Sequence, residues 1–269
     1  MVPKRLDGIG GYLYVYWPRY LVGFGGGLLL ALSLWLGAGM LGYELGALVG
    51  WLLLVVLLYF LLLQLWFIYR LEEKLTVYEL LFSLGRVKPD EYVAQIDVGR
   101  RRSSWVIGRQ LTTGKLVVVD LYNPQMTPKG ALRRWRELGK YPVPDPRLVW
   151  REGRLGLLPV PDGEVTAVFL IQTLSELWHR GDRIRLLEEI YHILPPGGRL
   201  LMVEPARSVT NYLVWGPWGW DLPSTRYWRQ LLGQAGFEPI REEWVEGMLV
   251  CYRADKPVPV VGGQLRLNL

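Results

Sequence analysis

The chain has 269 residues, a formal net charge of +6, 51% hydrophobic and 21% charged residues and a mean hydropathy of +0.15. Its apolar residues are bunched: Glu44 is the one charge between 20 and 68, which excludes both a disordered chain and a simple soluble domain. One cysteine, Cys251, and two histidines, His179 and His192, exclude a disulfide framework and leave no basis for a metal centre, so none is expected.

Two apolar runs come first, 20–42 and 46–68. Each matches the roughly 20 helical residues that cross a bilayer core. The segment between them is short enough to make a tight hairpin. Lys4, Arg5 and Arg19 precede the pair, and Arg70 and Lys74 follow it. Lys and Arg prefer the cytoplasmic side, so both termini are expected in the cytoplasm and the hairpin tip outside, in the cytoplasmic membrane. Tyr12, Tyr14, Tyr16, Trp17, Tyr20, Trp66 and Tyr69 fit an interfacial aromatic belt. The first run is too long and starts too late for a cleaved signal. Gly23, Gly25, Gly26 and Gly27 either form a contact face for the second helix or reflect the general tolerance of membrane helices for glycine. A bilayer is the simplest partner for the basic balance, and with no recognition motif in the chain nucleic acid is not expected. The expected organisation is a membrane hairpin over 1–70, a linker helix over 71–90, a globular domain over 91–255 and an extended tail over 256–269.

Within the domain, short β-rich runs alternate with helical stretches, which predicts an α/β fold with a mostly parallel sheet. Strands are expected at 92–99, 115–122, 147–152, 165–171, 199–206, 239–246 and 247–254. Helices are expected near 104–111, 128–138, 180–193 and 224–235. The last two strands have almost no connection, so they must form an antiparallel hairpin.

The phrase LLPVPDGEVTAVFLIQTLSELWHRGDRIRLLEEIYHILPPGGRLLMVEPA, residues 157–206, joins a Pro-Asp-Gly turn, a strand, a helix ending in Ile-Leu-Pro-Pro-Gly-Gly and a strand ending in Val-Glu-Pro. With the lead-in LGRVKPDEYVAQIDVG and a second strand ending in Asp120, residues 78–254 resemble the class I S-adenosylmethionine-dependent methyltransferases. The ubiquinone and menaquinone type of enzyme is the nearest group. The resemblance implies a Rossmann-like sheet, S-adenosylmethionine as cofactor, and a site at the carboxyl ends of the strands.

Carried over residue by residue, it implies cofactor contacts at Asp97, Gly99, Arg101 and Ser103 after the first strand. It places Asp120 and Leu121 after the second, Gly153 and Arg154 after the third, and Gln172 after the fourth. Asp120 would accept hydrogen bonds from both ribose hydroxyls, a role suited to an anionic acceptor; the plain alternative is a strand-end or capping aspartate. The family's glycine loop is altered: its second and third glycines fall on Arg101 and Ser103. The family's adenine-binding aspartate falls on Arg154, which cannot accept a hydrogen bond. Added positive charge opposes a sulfonium. Arg100, Arg101 and Arg102 can serve an anion at a helix start, or form a solvated turn facing lipid headgroups.

The segment 211–228 holds Trp215, Trp218, Trp220 and Trp228 with Tyr212 and Tyr227, interrupted by Gly and Pro that leave no room for a regular helix. Clustered indoles suit a membrane surface, where they would collect a lipid-soluble substrate or dock the domain; filling the core is the other reading. His179 and Glu204 are candidate acid–base groups. Two functions remain open at this point. One is a membrane-anchored methyltransferase acting on a lipid-soluble acceptor. The other is a methyltransferase-like subunit or scaffold of a membrane protein complex. An arginine seated on Asp120 would favour the second.

Overall fold

The computed structural model describes residues 9–73, 76–99, 101–125, 130–138, 145–238 and 240–259. Helix starts earlier than the hydropathy pattern suggests. α1 spans Ile9–Tyr20 and passes through a π turn, Leu21–Gly25, into α2, Gly26–Met40. Pro18 lies inside α1; it removes one amide from the ladder just before the π turn. α3 spans Glu44–Glu73 and returns along α2. A Cβ on Gly50 would strike the backbone of Trp35 and Ala31, so the closest approach of the two helices depends on a glycine of α3. Of the four glycines of the first run, Gly27 meets Leu57 of α3 and Gly23 meets Trp218, while Gly25 and Gly26 meet no other helix. Leu29, Leu30, Leu52 and Leu58 point outward, Leu29 being 68% exposed. A core helix of a soluble protein would bury such residues. Two stretches, Gly10–Met40 and Glu44–Arg70, are long and apolar enough to cross a membrane.

The predicted linker helix is divided. Its start continues α3 to Glu73, and α4, Thr76–Gly85, is a separate helix. Val77 and Leu81 of α4 are buried on the sheet and Phe82 stacks on Phe169, so α4 belongs to the domain.

The sheet has seven strands, β1 Tyr92–Asp97, β2 Lys115–Asp120, β3 Leu148–Glu152, β4 Ala167–Ile171, β5 Arg199–Pro205, β6 Ile240–Val245 and β7 Leu249–Asp255, in the order 3-2-1-4-5-7-6. The first five are parallel; β7 runs antiparallel to β5 and β6. Glu246, Gly247 and Met248 make the final hairpin turn, the first two at positive φ. The strands bear alternating apolar residues on both faces. Val117 and Val119 pack with Leu132, Leu186 and Trp228, whereas Leu116 and Val118 pack with Leu81 and Ile107. Thus α6 (Gly130–Leu138), α7 (Arg180–Ile193) and α9 (Thr225–Gln234) cover one face. α4 and α5 (Arg102–Gln110) cover the other. This is the doubly covered, Rossmann-like arrangement expected of a parallel sheet.

The tail begins firmly: Lys256 Nζ donates to the carbonyls of Tyr191 (2.7 Å) and Leu194 (2.6 Å) at the end of α7, where a cation suits the helix dipole. Residues 260–269 lie outside the described residues.

Candidate functional site

Strand order reverses between β1 and β4, and the carboxyl ends of strands on either side of such a reversal form a crevice. Asp97 and Asp120 end their strands in register. The Asp97 carboxylate accepts the amides of Gly99 (2.9 Å) and Arg101 (3.2 Å), which folds the chain sharply after β1. Gly99 has φ +124° and Arg101 φ +48°. Arg101 therefore keeps a left-handed backbone angle at a site where the family resemblance expects glycine, at the steric cost such angles impose on a residue with a Cβ. Gln172, just past β4, is also left-handed at φ +51°, and its amide donates to Val203 O at 2.7 Å. Both strained residues stand at the carboxyl ends of the two strands flanking the reversal.

The side chains above this loop differ from expectation. Asp120 is held by Arg136 of α6, whose Nη1 lies 2.9 and 2.7 Å from its two carboxylate oxygens. Arg101 adds a longer ion pair at 3.9 Å. The Asp120 Oδ1 also accepts the Tyr122 amide at 3.0 Å. Arg136 lies over the Tyr122 ring at 4.4 Å, and its side chain is the nearest neighbour of Gly99. The position expected to hold a ribose diol is therefore covered by a guanidinium. Sequence reasoning missed Arg136. Its one signal there is the arginine-rich helix ALRRWREL following the second strand.

The remaining candidates divide. Leu121 is buried and its amide donates to Asp97 O at 2.8 Å, tying the ends of β1 and β2. Ser103 does not face the crevice but accepts from Gln95 Nε2 at 2.6 Å inside the domain. Gly153 donates its amide to Asp120 O at 3.0 Å, and a Cβ there would strike Val119, so its glycine serves close packing. Arg154 is exposed in a turn bridged to Leu157 and does not pair with Asp120. His179 is exposed at the start of α7 and makes no side-chain cap. Glu204 is fully buried and accepts the amides of Leu174 (2.7 Å) and Ser175 (3.2 Å). It holds the turn after β4, and burial pushes its carboxyl up to about 7. Arg100 lies outside the described residues. The buried thiol of Cys251 is pushed up to about 12 by desolvation and is inert. Among the described residues no cluster of metal-binding side chains occurs.

The aromatic segment is more regular than its glycines and prolines suggest. α8, Val209–Trp215, is capped by Ser208 and ends at Gly216, and a 3-10 turn, Gly216–Asp221, follows. Trp228 is fully buried in the core. Trp215 instead packs on Tyr12 and Tyr16 of α1, at ring separations of 5.8 and 6.4 Å, and Trp218 meets Gly23 at 3.5 Å. Those tyrosines therefore face protein, while Tyr14 and Trp17 on the opposite side of α1 are exposed. Gln64 of α3 donates to Val214 O, and Arg70 pairs with Glu246 at 2.6 Å. A small cleft lies between these elements, lined by Tyr16, Arg19, Phe24, Gln64, Trp215 and Trp218 among others.

Residues 107–202 match the methyltransferase domain family, just over a third of the chain and starting beyond the altered loop. A probable S-adenosylmethionine-dependent methyltransferase of Mycolicibacterium smegmatis is 32% identical over 102 residues, 35% of this chain and 36% of that protein. The match thus spans about a third of the curated relative's length. A SAM-dependent methyltransferase from Aquifex aeolicus shares the fold with a TM-score of 0.51 and 18% identity, over 67% of this chain and 89% of that one. Residues 107–202 are thus similar to the methyltransferase domain family, and the strand order together with the Aquifex aeolicus likeness gives the domain a methyltransferase-type Rossmann-like fold.

Proposed function

We propose that this chain is a membrane-anchored methyltransferase that uses S-adenosylmethionine and acts on a lipid-soluble or membrane-associated acceptor. One observation carries the reading: the carboxyl edge of the sheet is joined to the apolar helices by α1 and the aromatic segment. Trp215 on Tyr12 and Tyr16, Trp218 on Gly23 and Gln64 on Val214 make that joint. An acceptor dissolved in the bilayer would have a short path to the donor crevice. The bilayer is the partner of α2 and α3, and Arg19 and Arg70 suit the cytoplasmic side.

The cradle suits the donor in its backbone. The Asp97-braced turn, the positive φ of Gly99 and Arg101 and the carboxylate of Asp120 at the ends of β1 and β2 support that reading. In its side chains it suits the donor only once Arg136 leaves Asp120, because a carboxylate saturated by guanidinium has little left for a diol. Asp120 would then hold the ribose, with the 99–101 turn beside the methionine part and Gln172 at the rim. When bound, S-adenosylmethionine supplies an activated methyl group on sulfur. The chain's contribution is to hold donor and acceptor in line and exclude water, which lowers the entropic part of the barrier.

The test is methyl transfer from labelled donor into the organic-soluble fraction by the full chain in nanodiscs with added membrane lipids. Label in that fraction, lost with Asp120→Ala, is expected; absence of label from every lipid class would refute the acceptor class. A second reading, a non-catalytic module of a membrane complex, is favoured by the Arg136 and Arg101 pairs on Asp120. It predicts stoichiometric co-purification with a partner and no donor binding.

A further inference from the structure

α6 is held from two sides. On one side Arg136 covers Asp120 and Gly99. On the other, Arg134 Nε donates to the carbonyl of Val15 in α1 at 2.6 Å, and Val15 is fully buried. α1 also packs on Trp215 through Tyr12 and Tyr16. It thus bridges α6, which follows β2, and α8, which follows β5, and continues through the π turn into the first apolar helix.

We propose that Arg136 is a gate on the donor site and that α1 holds it shut. With α1 seated, α6 places the guanidinium where the ribose diol must bind. The donor and the Arg136–Asp120 pair compete for one carboxylate, so each excludes the other. Movement of α1 away from α6 favours the open state and therefore the donor. Because α1 leads directly into the membrane helix, events at the bilayer surface shift the same equilibrium. A site open a tenth of the time binds about tenfold more weakly than its open form, and removal of the gate restores that factor. The proposal rests on the methyltransferase reading above.

The experiment is calorimetric titration of S-adenosylhomocysteine into the full chain in nanodiscs, with thermal unfolding checked for each variant. Arg136→Ala is expected to tighten binding about tenfold. Arg134→Met, which cuts the tie to α1 without touching Asp120, is expected to tighten it severalfold; Arg136→Lys should stay near wild type. In wild type, ligand should speed amide exchange in Ile9–Tyr20 and Gly130–Leu138. Equal affinity in wild type and Arg136→Ala keeps the methyltransferase reading and overturns the gate. Binding in neither overturns both. Slower exchange in α1 on binding overturns the coupling to the membrane helix.

Discussion

The two halves of the parallel sheet end very differently. After β4 and β5 the chain keeps the family phrase, and its residues play conventional structural roles. Glu204 braces the turn at Leu174 and Ser175, and Trp228 donates to Pro205 O at 3.1 Å from the core. After β1 and β2 the backbone turns sharply at positive φ, arginine and serine stand where the resemblance expects glycines, and two arginines pair with Asp120. The backbone of a site and the side chains that fill it can therefore diverge separately. The turn braced by Asp97 accommodates arginine at a positive φ.

If the conventional half carries the fold, the largest stability loss lies there. Trp228→Ala should cost about 3–5 kcal/mol by emptying a fully buried site, seen as a lower midpoint in thermal unfolding. A loss under about 1 kcal/mol would break the assignment. The same half should give the main pH dependence. Burial raises the Glu204 carboxyl to about 7 from its ordinary 4.5. The folded chain therefore binds more protons than the unfolded one between these values and loses about 3 kcal/mol as pH climbs through them. Denaturant unfolding from about pH 4.5 to 8 should show this decline, and Glu204→Gln should flatten it.

In the altered half, Arg101→Gly sharpens the contrast. Glycine accepts φ +48° freely, so the variant should gain about 1 kcal/mol of stability and bind donor more tightly. A destabilised Arg101→Gly would show that the guanidinium, not the turn, holds the loop. The smallest effect concerns the joint to the apolar helices. Arg70 and Glu246 are partly exposed, so Arg70→Ala should cost under about 1 kcal/mol. Its signature is faster amide exchange at the β6–β7 turn rather than a large shift in midpoint.

Much of the fold was legible in the sequence, and the reason differs by region. β4, α7 and β5 were readable because their apolar runs and Pro-Pro-Gly-Gly stop are local signals. The final hairpin followed from the absence of any connection to span. α1 was not readable as a helix packed on the domain, because its buried Tyr12 and Val15 and exposed Tyr14 and Trp17 are told apart only by contact with Trp215 and α6. Asp97, Gly99, Leu121 and Asp120 were implied by the resemblance at the ends of the first two strands, and the structure brings them together. Arg136 was invisible because its pairing with Asp120 is set by how α6 packs, not by any spacing rule. Ser103 and Arg154 occupy family positions in sequence but turn elsewhere, into the core and toward solvent.

The central claim is that the 97–121 cradle still serves the methyl donor. Its most direct test is calorimetric titration of S-adenosylmethionine into the full chain in nanodiscs, beside Asp120→Ala. The account predicts saturable one-to-one binding that weakens at least about tenfold in the variant, the loss of a strong charge-assisted contact. A folded wild-type chain that takes up no donor at millimolar concentration, or a variant that binds as well as wild type, would contradict it.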